Sequence, residues 1–283
     1  MPTKVEKDAV TGTETTGHEW DGIKELNTPL PKWWLYVFYA TIIWAAIYYL
    51  LYPTIPGIKG LMGYSQREEI VERIAEARAA QGENRERIAA ASLDEIKADA
   101  DLLSFAMTGG HAAFADNCAP CHAAGGAGRP GYPILADDDW IWGGSLEDIH
   151  LTLLHGIRAV NDETREGEMP TFGADELLET EQIDQVADYV LALSQGAASA
   201  DTPGADVYAE NCAACHGEAG EGGRDFGAPR LSNQIWLYGG EKEDLVKQIS
   251  QPRLGVMPAW TDRLDETTIK MLTVYVHALG GGE

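Results

Sequence analysis

Charge disappears from the chain after Lys32 and returns at Lys59. The apolar part of that stretch, Trp33 to Tyr52, is 20 residues. As a helix it is about 30 Å long, the thickness of a bilayer core. Trp33, Trp34 and Tyr36 stand at one end and Tyr48, Tyr49 and Tyr52 at the other, the aromatic belts of a spanning segment. Pro53 and Pro56 stop it. A polar tail of 32 residues precedes the run, which ends in bulky Tyr-Leu-Leu-Tyr. A cleaved signal peptide has a short basic head and small residues at its cleavage site, so a retained single-pass anchor is expected. Four Lys precede the run within 32 residues; Lys59, Arg67, Arg73 and Arg78 follow within the same distance. The positive-inside rule therefore does not orient it.

Ser65 to about Ala106 is rich in Ala, Glu, Arg and Ile, with Ile70, Ile74 and Ala77 at helical spacing among charges. This predicts one or two solvated amphipathic helices, serving as a spacer or a docking surface. Beyond it the pattern repeats. Gly110, Phe114 and Cys118 match Gly204, Tyr208 and Cys212. Trp140-Ile-Trp142-Gly-Gly matches Trp236-Leu-Tyr238-Gly-Gly, and Met169-Pro170-Thr-Phe172 matches Met257-Pro258-Ala-Trp260. Tyr189-Val-Leu-Ala-Leu matches Tyr275-Val-His-Ala-Leu. Four blocks in one order make a tandem repeat. Each unit predicts a lead helix into the cysteines, a Gly/Pro-rich loop and a helix near Leu146–Leu154 or Glu243–Ile249. A Met-Pro loop and a closing helix near Thr180–Leu193 or Thr267–Leu279 follow. Phe114 is expected to meet Tyr189, and Tyr208 to meet Tyr275, where first and last helices of a unit cross. Gly196–Ala205 is a linker by composition. Strand patterns are nearly absent. The fold class is all-α: an N-terminal segment (1–32), a transmembrane helix (33–52), a helical linker region (53–106), and domains at 107–196 and 205–283 joined by 197–204.

Composition narrows the chemistry. Asp plus Glu is 45 against 21 Lys plus Arg, a net charge of −24. Such a chain repels phosphate backbones, so no nucleic acid is expected as a partner. It suits a basic protein partner, though an acidic surface also simply keeps proteins soluble. All four cysteines lie in Cys118-Ala-Pro-Cys121-His122 and Cys212-Ala-Ala-Cys215-His216. Cys-x-x-Cys-His is the attachment signature of c-type haem. The thiols add to the vinyl groups and the adjacent His is held where it can bind iron. A thioredoxin-like pair would sit near a βαβ unit, and a zinc site would need further ligands at knuckle spacing. His18, His111, His150, His155 and His277 form no such set.

The remaining iron position separates electron transfer from ligand chemistry. A Met thioether there saturates the iron and raises its potential. Met169 and Met257 share the repeated Met-Pro-x-aromatic context and are the candidate ligands. Met62 and Met271 read as core fillers. Met107, His111 and His155 are weaker ligand candidates without counterparts in the other half. Trp140 and Trp236 are placed either to donate Nε1–H to a haem propionate or to pack on the ring. Arg158 and Arg253 occupy matching places before the Met loops, as propionate partners or as solvated surface residues. No nucleophile–base pair stands out, so no catalytic residue is expected in this chain.

The segments Gly17-His-Glu-Trp-Asp-Gly-Ile23 and Glu25-Leu-Asn-Thr-Pro-Leu-Pro-Lys-Trp-Trp34, then one spanning helix ending Tyr52-Pro53, resemble the CcoP/FixP family. These are the dihaem cytochrome c subunits of the cbb3-type oxidases of proteobacteria. With the haem halves the resemblance covers essentially the whole chain. It implies an inner-membrane protein with a cytoplasmic N-terminus and periplasmic haem domains. It implies two covalently bound haem c, and partnership with a haem-copper catalytic subunit and a monohaem cytochrome subunit. Electrons would come from a soluble or anchored cytochrome c, and oxygen would be reduced in the catalytic subunit. The Trp20–Trp34 segment would contact that subunit at the membrane surface. The repeat predicts that Met169 serves the haem of His122. The resemblance implies an exchange, His122 with Met257 and His216 with Met169, and the balance leans to the exchange. A free membrane-anchored dihaem shuttle and a dihaem peroxidase with one open iron are the alternatives.

Overall fold

The computed structural model describes residues 3–53, 56, 59–280 and 282. Thr54, Ile55, Gly57 and Ile58, in the uncharged stretch before Lys59, lie outside the described residues. The chain divides into two units, Met1–Ala80 and Gln81–Glu283.

The first unit opens with an antiparallel hairpin, β1 (Thr15–Trp20) and β2 (Ile23–Leu26), absent from the all-α expectation. Asp21 and Gly22, both at positive φ, form its two-residue turn. That Asp-Gly pair is the sequence signal for such a turn. Helix α1 (Lys32–Leu51) follows Pro31 and buries none of its residues within the chain. Its mean hydropathy of 1.6 and its length suit a bilayer core rather than water. Tyr52 stacks on Tyr48 at its far end, with ring centroids 4.7 Å apart. Met62 is 60% exposed, so it fills no core, contrary to expectation. Helix α2 (Gln66–Ala80) is solvated along its whole length, as its charges predict.

The second unit holds ten further α-helices among the described residues. They are α3 (Gly82–Ala90), α4 (Leu93–Ala98), α5 (Ala100–Asn117), α6 (Ala119–His122) and α7 (Leu146–His155). Then come α8 (Thr180–Ser194), α9 (Ala205–Asn211), α10 (Ala213–His216), α11 (Lys242–Ser250) and α12 (Glu266–His277). Side-chain caps start several of them: Ser92, Asp99, Ser145 and Asp265 each accept a backbone N–H of the first turn. Helices α7, α8, α11 and α12 fall where the repeat placed them.

Their packing differs from the repeat's simplest reading. The closing helices are exchanged. Helix α12 crosses α5 and α7: Phe114, Cys118, Ile149 and Leu153 share one core with Trp260, Ile269, Leu272, Tyr275 and Val276. Helix α8 packs on α9 and α11: Ile183, Val186 and Val190 share another with Tyr208, Leu245 and Ile249. Phe114 therefore meets Tyr275 (centroids 5.4 Å apart), not Tyr189, and Tyr208 meets Tyr189 (5.0 Å), not Tyr275. The matched glycines sit at these crossings. A Cβ on Gly110 would lie 2.4 Å from the Met271 carbonyl oxygen; one on Gly204 would lie 2.3 Å from that of Gln185.

A third core binds α3 and α4 to this assembly. Ile88 and Ile96 are fully buried beside Leu102, Ala106, Leu146, Met271 and Val274. Lys270 Nζ donates to the carbonyls of Ala89 and Ala91 at 2.8 and 3.0 Å, complementing the negative end of α3. Arg85 pairs with Asp265 at 2.6 Å. From Gly82 onward, then, the region read as a spacer or docking helix is part of the folded body. Met271 is the core filler expected of it.

Candidate haem-binding sites

Each Cys-x-x-Cys-His motif is a short helical turn set at the end of a lead helix. The N–H of Cys118 donates to Phe114 O at 2.8 Å and that of His122 to Cys118 O at 2.8 Å. Cys212 and His216 repeat this on Tyr208 and Cys212. One thiol per motif, Cys118 or Cys212, faces the core; Cys121 and Cys215 are exposed. Burial pushes the Cys118 and Cys212 thiols up to about 11. Redox pairs of Cys-x-x-Cys type work by the opposite shift, so these are poor dithiol redox centres.

The imidazoles are set for metal binding. His122 Nδ1 lies 3.0 Å from Pro133 O, and His216 Nδ1 lies 2.9 Å from Pro229 O. A carbonyl only accepts, so Nδ1 carries the proton and Nε2 keeps its lone pair. Burial holds both rings below the usual histidine pKa, against the opposing pull of these hydrogen bonds. The neutral, ligating form is thereby favoured at neutral pH. Pro133 and Pro229 were not singled out from the sequence. Their signal was a proline 11 or 13 residues beyond each motif histidine.

The Met-Pro loops follow the exchanged helices. Met257 packs on the core containing Phe114 and Cys118, and Met169 on the core beside Cys212. An antiparallel bridge fixes the Met257 loop, with Ile157 N on Met257 O at 2.9 Å and Met257 N on Ile157 O at 3.0 Å. Trp260 is buried in the same core, and its Nε1–H meets no acceptor among the described residues. A tetrapyrrole bearing carboxylates suits that donor, and the thiols, the free imidazole nitrogen and the thioether are the donor set of haem c. The residues present fit the group.

The Trp-Gly-Gly blocks are a packing device. A Cβ on Gly144 or Gly240 would come within 2.3 Å of the Trp140 or Trp236 ring, so glycine lets the backbone lie against the indole. Arg158 and Arg253 hydrogen-bond to backbone carbonyls: Arg158 to those of Gly255 and Gly167, Arg253 to that of Tyr238, whose ring it also covers at 4.6 Å. Of the weaker ligand candidates, His111 lies edge-on to Tyr275, His155 lies beside Asn161 and Glu163, and Met107 packs at the edge of the first core.

An anchor helix followed by two such motif-and-methionine domains defines a membrane-anchored tandem c-type cytochrome. Family comparison agrees: residues 107–194 match the cytochrome c family, and residues 199–276 match cytochrome c oxidase, cbb3-type, subunit III. Residues 12–59 match the N-terminal domain of cytochrome oxidase-cbb3, FixP. The chain is 54% identical to the cbb3-type cytochrome c oxidase subunit CcoP of Azospirillum brasilense, over 98% of this chain and 99% of that one. It is 51% identical to subunit FixP of Azorhizobium caulinodans (98% and 96%) and 48% to that of Bradyrhizobium diazoefficiens (98% and 98%). The chain belongs to the CcoP/FixP family of cbb3-type cytochrome c oxidase subunits.

Proposed function

We propose that the chain carries two haem c groups and relays single electrons within a cbb3-type oxidase. One haem is attached to Cys118 and Cys121 and held by His122 and Met257; the other is attached to Cys212 and Cys215 and held by His216 and Met169. The observation that carries this reading is that the first cysteine of each motif, whose histidine is tied to a proline carbonyl, shares a core with the Met-Pro loop of the other half. When bound, an iron held by these His and Met side chains would supply one-electron chemistry at a raised potential without binding substrate. The protein's part is to hold Nε2 and thioether in place and to exclude water with the buried aromatics. Oxygen chemistry belongs to a haem-copper catalytic subunit, reached with a monohaem cytochrome subunit in the same complex. The N-terminal segment lies in the cytoplasm and both haem domains in the periplasm, where haem c is attached.

A carbon monoxide difference spectrum of tagged protein, isolated from membranes in mild detergent, tests this. A haem b–CO signal is expected, with the haem c bands unmoved. A haem c–CO signal instead points to an open iron and peroxidase-like chemistry; haem c alone, in every detergent, points to a free shuttle. The electron donor is a cytochrome c with a basic face, matched to the net charge of −24. Its second-order rate of oxidation is expected to fall severalfold as salt rises and the Debye length shrinks from about 30 Å at 0.01 M to about 8 Å at 0.15 M. A rate independent of salt would refute that match.

A further inference from the structure

The two Met loops meet at one side chain. Arg158 Nε donates to Gly255 O at 2.7 Å, and Arg158 Nη1 donates to Gly167 O at 2.7 Å. Gly255 lies two residues before Met257 and Gly167 two residues before Met169. One guanidinium therefore holds the same register position of both loops. Its own backbone is fixed on both sides: Ile157 is bridged to Met257, and Arg158 N donates to Arg165 O at 2.9 Å. Arg158 also sits at φ +49°, a left-handed conformation that a residue with a side chain adopts only at a cost. The surrounding bonds impose that conformation and aim the side chain between the loops. Arg253, its counterpart in the repeat, makes no such bridge; it bonds the Tyr238 carbonyl. Lysine could not replace Arg158, because only a planar fork presents two donors on fixed vectors to two separate carbonyls.

We propose that Arg158 is a positioning residue for both axial methionines at once, a shared clamp that sets how firmly each thioether is held toward its iron. This rests on Met257 and Met169 being the axial ligands. The clamp makes the two haem sites mechanically dependent on one residue that touches neither motif.

The test is Arg158→Met in the full-length protein, purified with its complex. The readouts are the far-red Met-to-iron charge-transfer band and the titration of each ferric haem with imidazole, which competes with the thioether. Wild-type protein shows the band from both haems; its absence there would overturn the ligation reading, and the clamp with it. In Arg158→Met, imidazole is expected to displace Met at both haems at roughly tenfold lower concentration. That is the equilibrium equivalent of one net hydrogen bond per loop, about 1.4 kcal/mol. Arg253→Met is expected to disturb at most the half of the band that belongs to the Met257 loop. A response from only one haem in Arg158→Met, or wild-type affinity at both, would overturn the clamp while leaving the ligands intact. Should Arg158→Met fail to load haem, Arg158→Lys decides. It keeps the cation but spans only one carbonyl, so a smaller loosening is expected, and wild-type imidazole affinity at both haems would refute the proposal.

Discussion

Gly110→Leu is expected to unseat α12 and destroy the haem environment at Cys118 and Cys121, while sparing that at Cys212 and Cys215. Even a single added carbon at this position would lie 2.4 Å from Met271 O and 2.6 Å from Tyr275 Cβ, and neither is the far end of a flexible side chain. The helix must move as a body. It carries Ile269, Leu272, Val274, Tyr275 and Val276, all buried. Burial of each such side chain is worth about 1.5–3 kcal/mol, so losing even three of them approaches the whole stability of a domain. The measurement is thermal unfolding followed at the Met-to-iron band: half of the band is lost at a lowered temperature, and the other half keeps its wild-type midpoint. Had each unit closed with its own last helix, the same substitution would have left α12 untouched and struck α8 instead. A band that falls as a whole, or not at all, would count against the packing described.

The second large effect is expected from Met257→His. An imidazole in place of the thioether keeps the iron six-coordinate but removes the ligand that raises its potential. The potential should fall by on the order of a few tenths of a volt, a fraction of the ~0.8 V over which axial ligands move haem potentials. Because Met257 packs with Phe114 and Cys118, the haem that changes should be the one on the first motif, 135 residues away in sequence from Met257 back to His122 (257 − 122). Cys121→Ala labels that haem, since one vinyl group left unsaturated shifts its reduced absorption band to the red. In the double variant the red-shifted band is expected to titrate at the lowered potential. If the unshifted band moves instead, Met257 serves the second motif; if neither moves, it binds no iron.

The helices that build the site were legible in the chain because the two halves vouch for each other. Periodicity alone is ambiguous over nine or ten residues, but Leu146–His155 and Lys242–Ser250 occupy the same place in a repeat. That same symmetry hid the exchange of the closing helices, although the family resemblance already implied an exchange of the methionines. Tyr189 and Tyr275 stand in nearly identical contexts, so either closing helix offers Phe114 an aromatic partner. What separates them is three-dimensional: whether the Gly110 notch receives Met271 and Tyr275. The histidine-orienting carbonyls of Pro133 and Pro229 were equally hidden, because a backbone acceptor leaves no mark on side-chain chemistry. Residues 82–98 misled for another reason. Their charges face water, and the two isoleucines that are fully buried, Ile88 and Ile96, are too few to show a period. The Asp21-Gly22 turn was in plain view, but the strands beside it carry His, Glu and Lys and lack the alternation that announces a hairpin.

The exchange also imposes an order in time. As the chain is made from its N-terminus, everything the core beside the second motif requires, from Met169 through α8 to Ile249, has been delivered by the end of α11. The first motif emerges 94 residues before the second (Cys118 to Cys212), yet its core waits for Met257, Trp260 and α12, which come after α11. On the function proposed above, its haem would be attached to, or held near, a chain that cannot yet close around it. The domain of the second motif is thus finished first, and α12 then seals the domain that began forming before it.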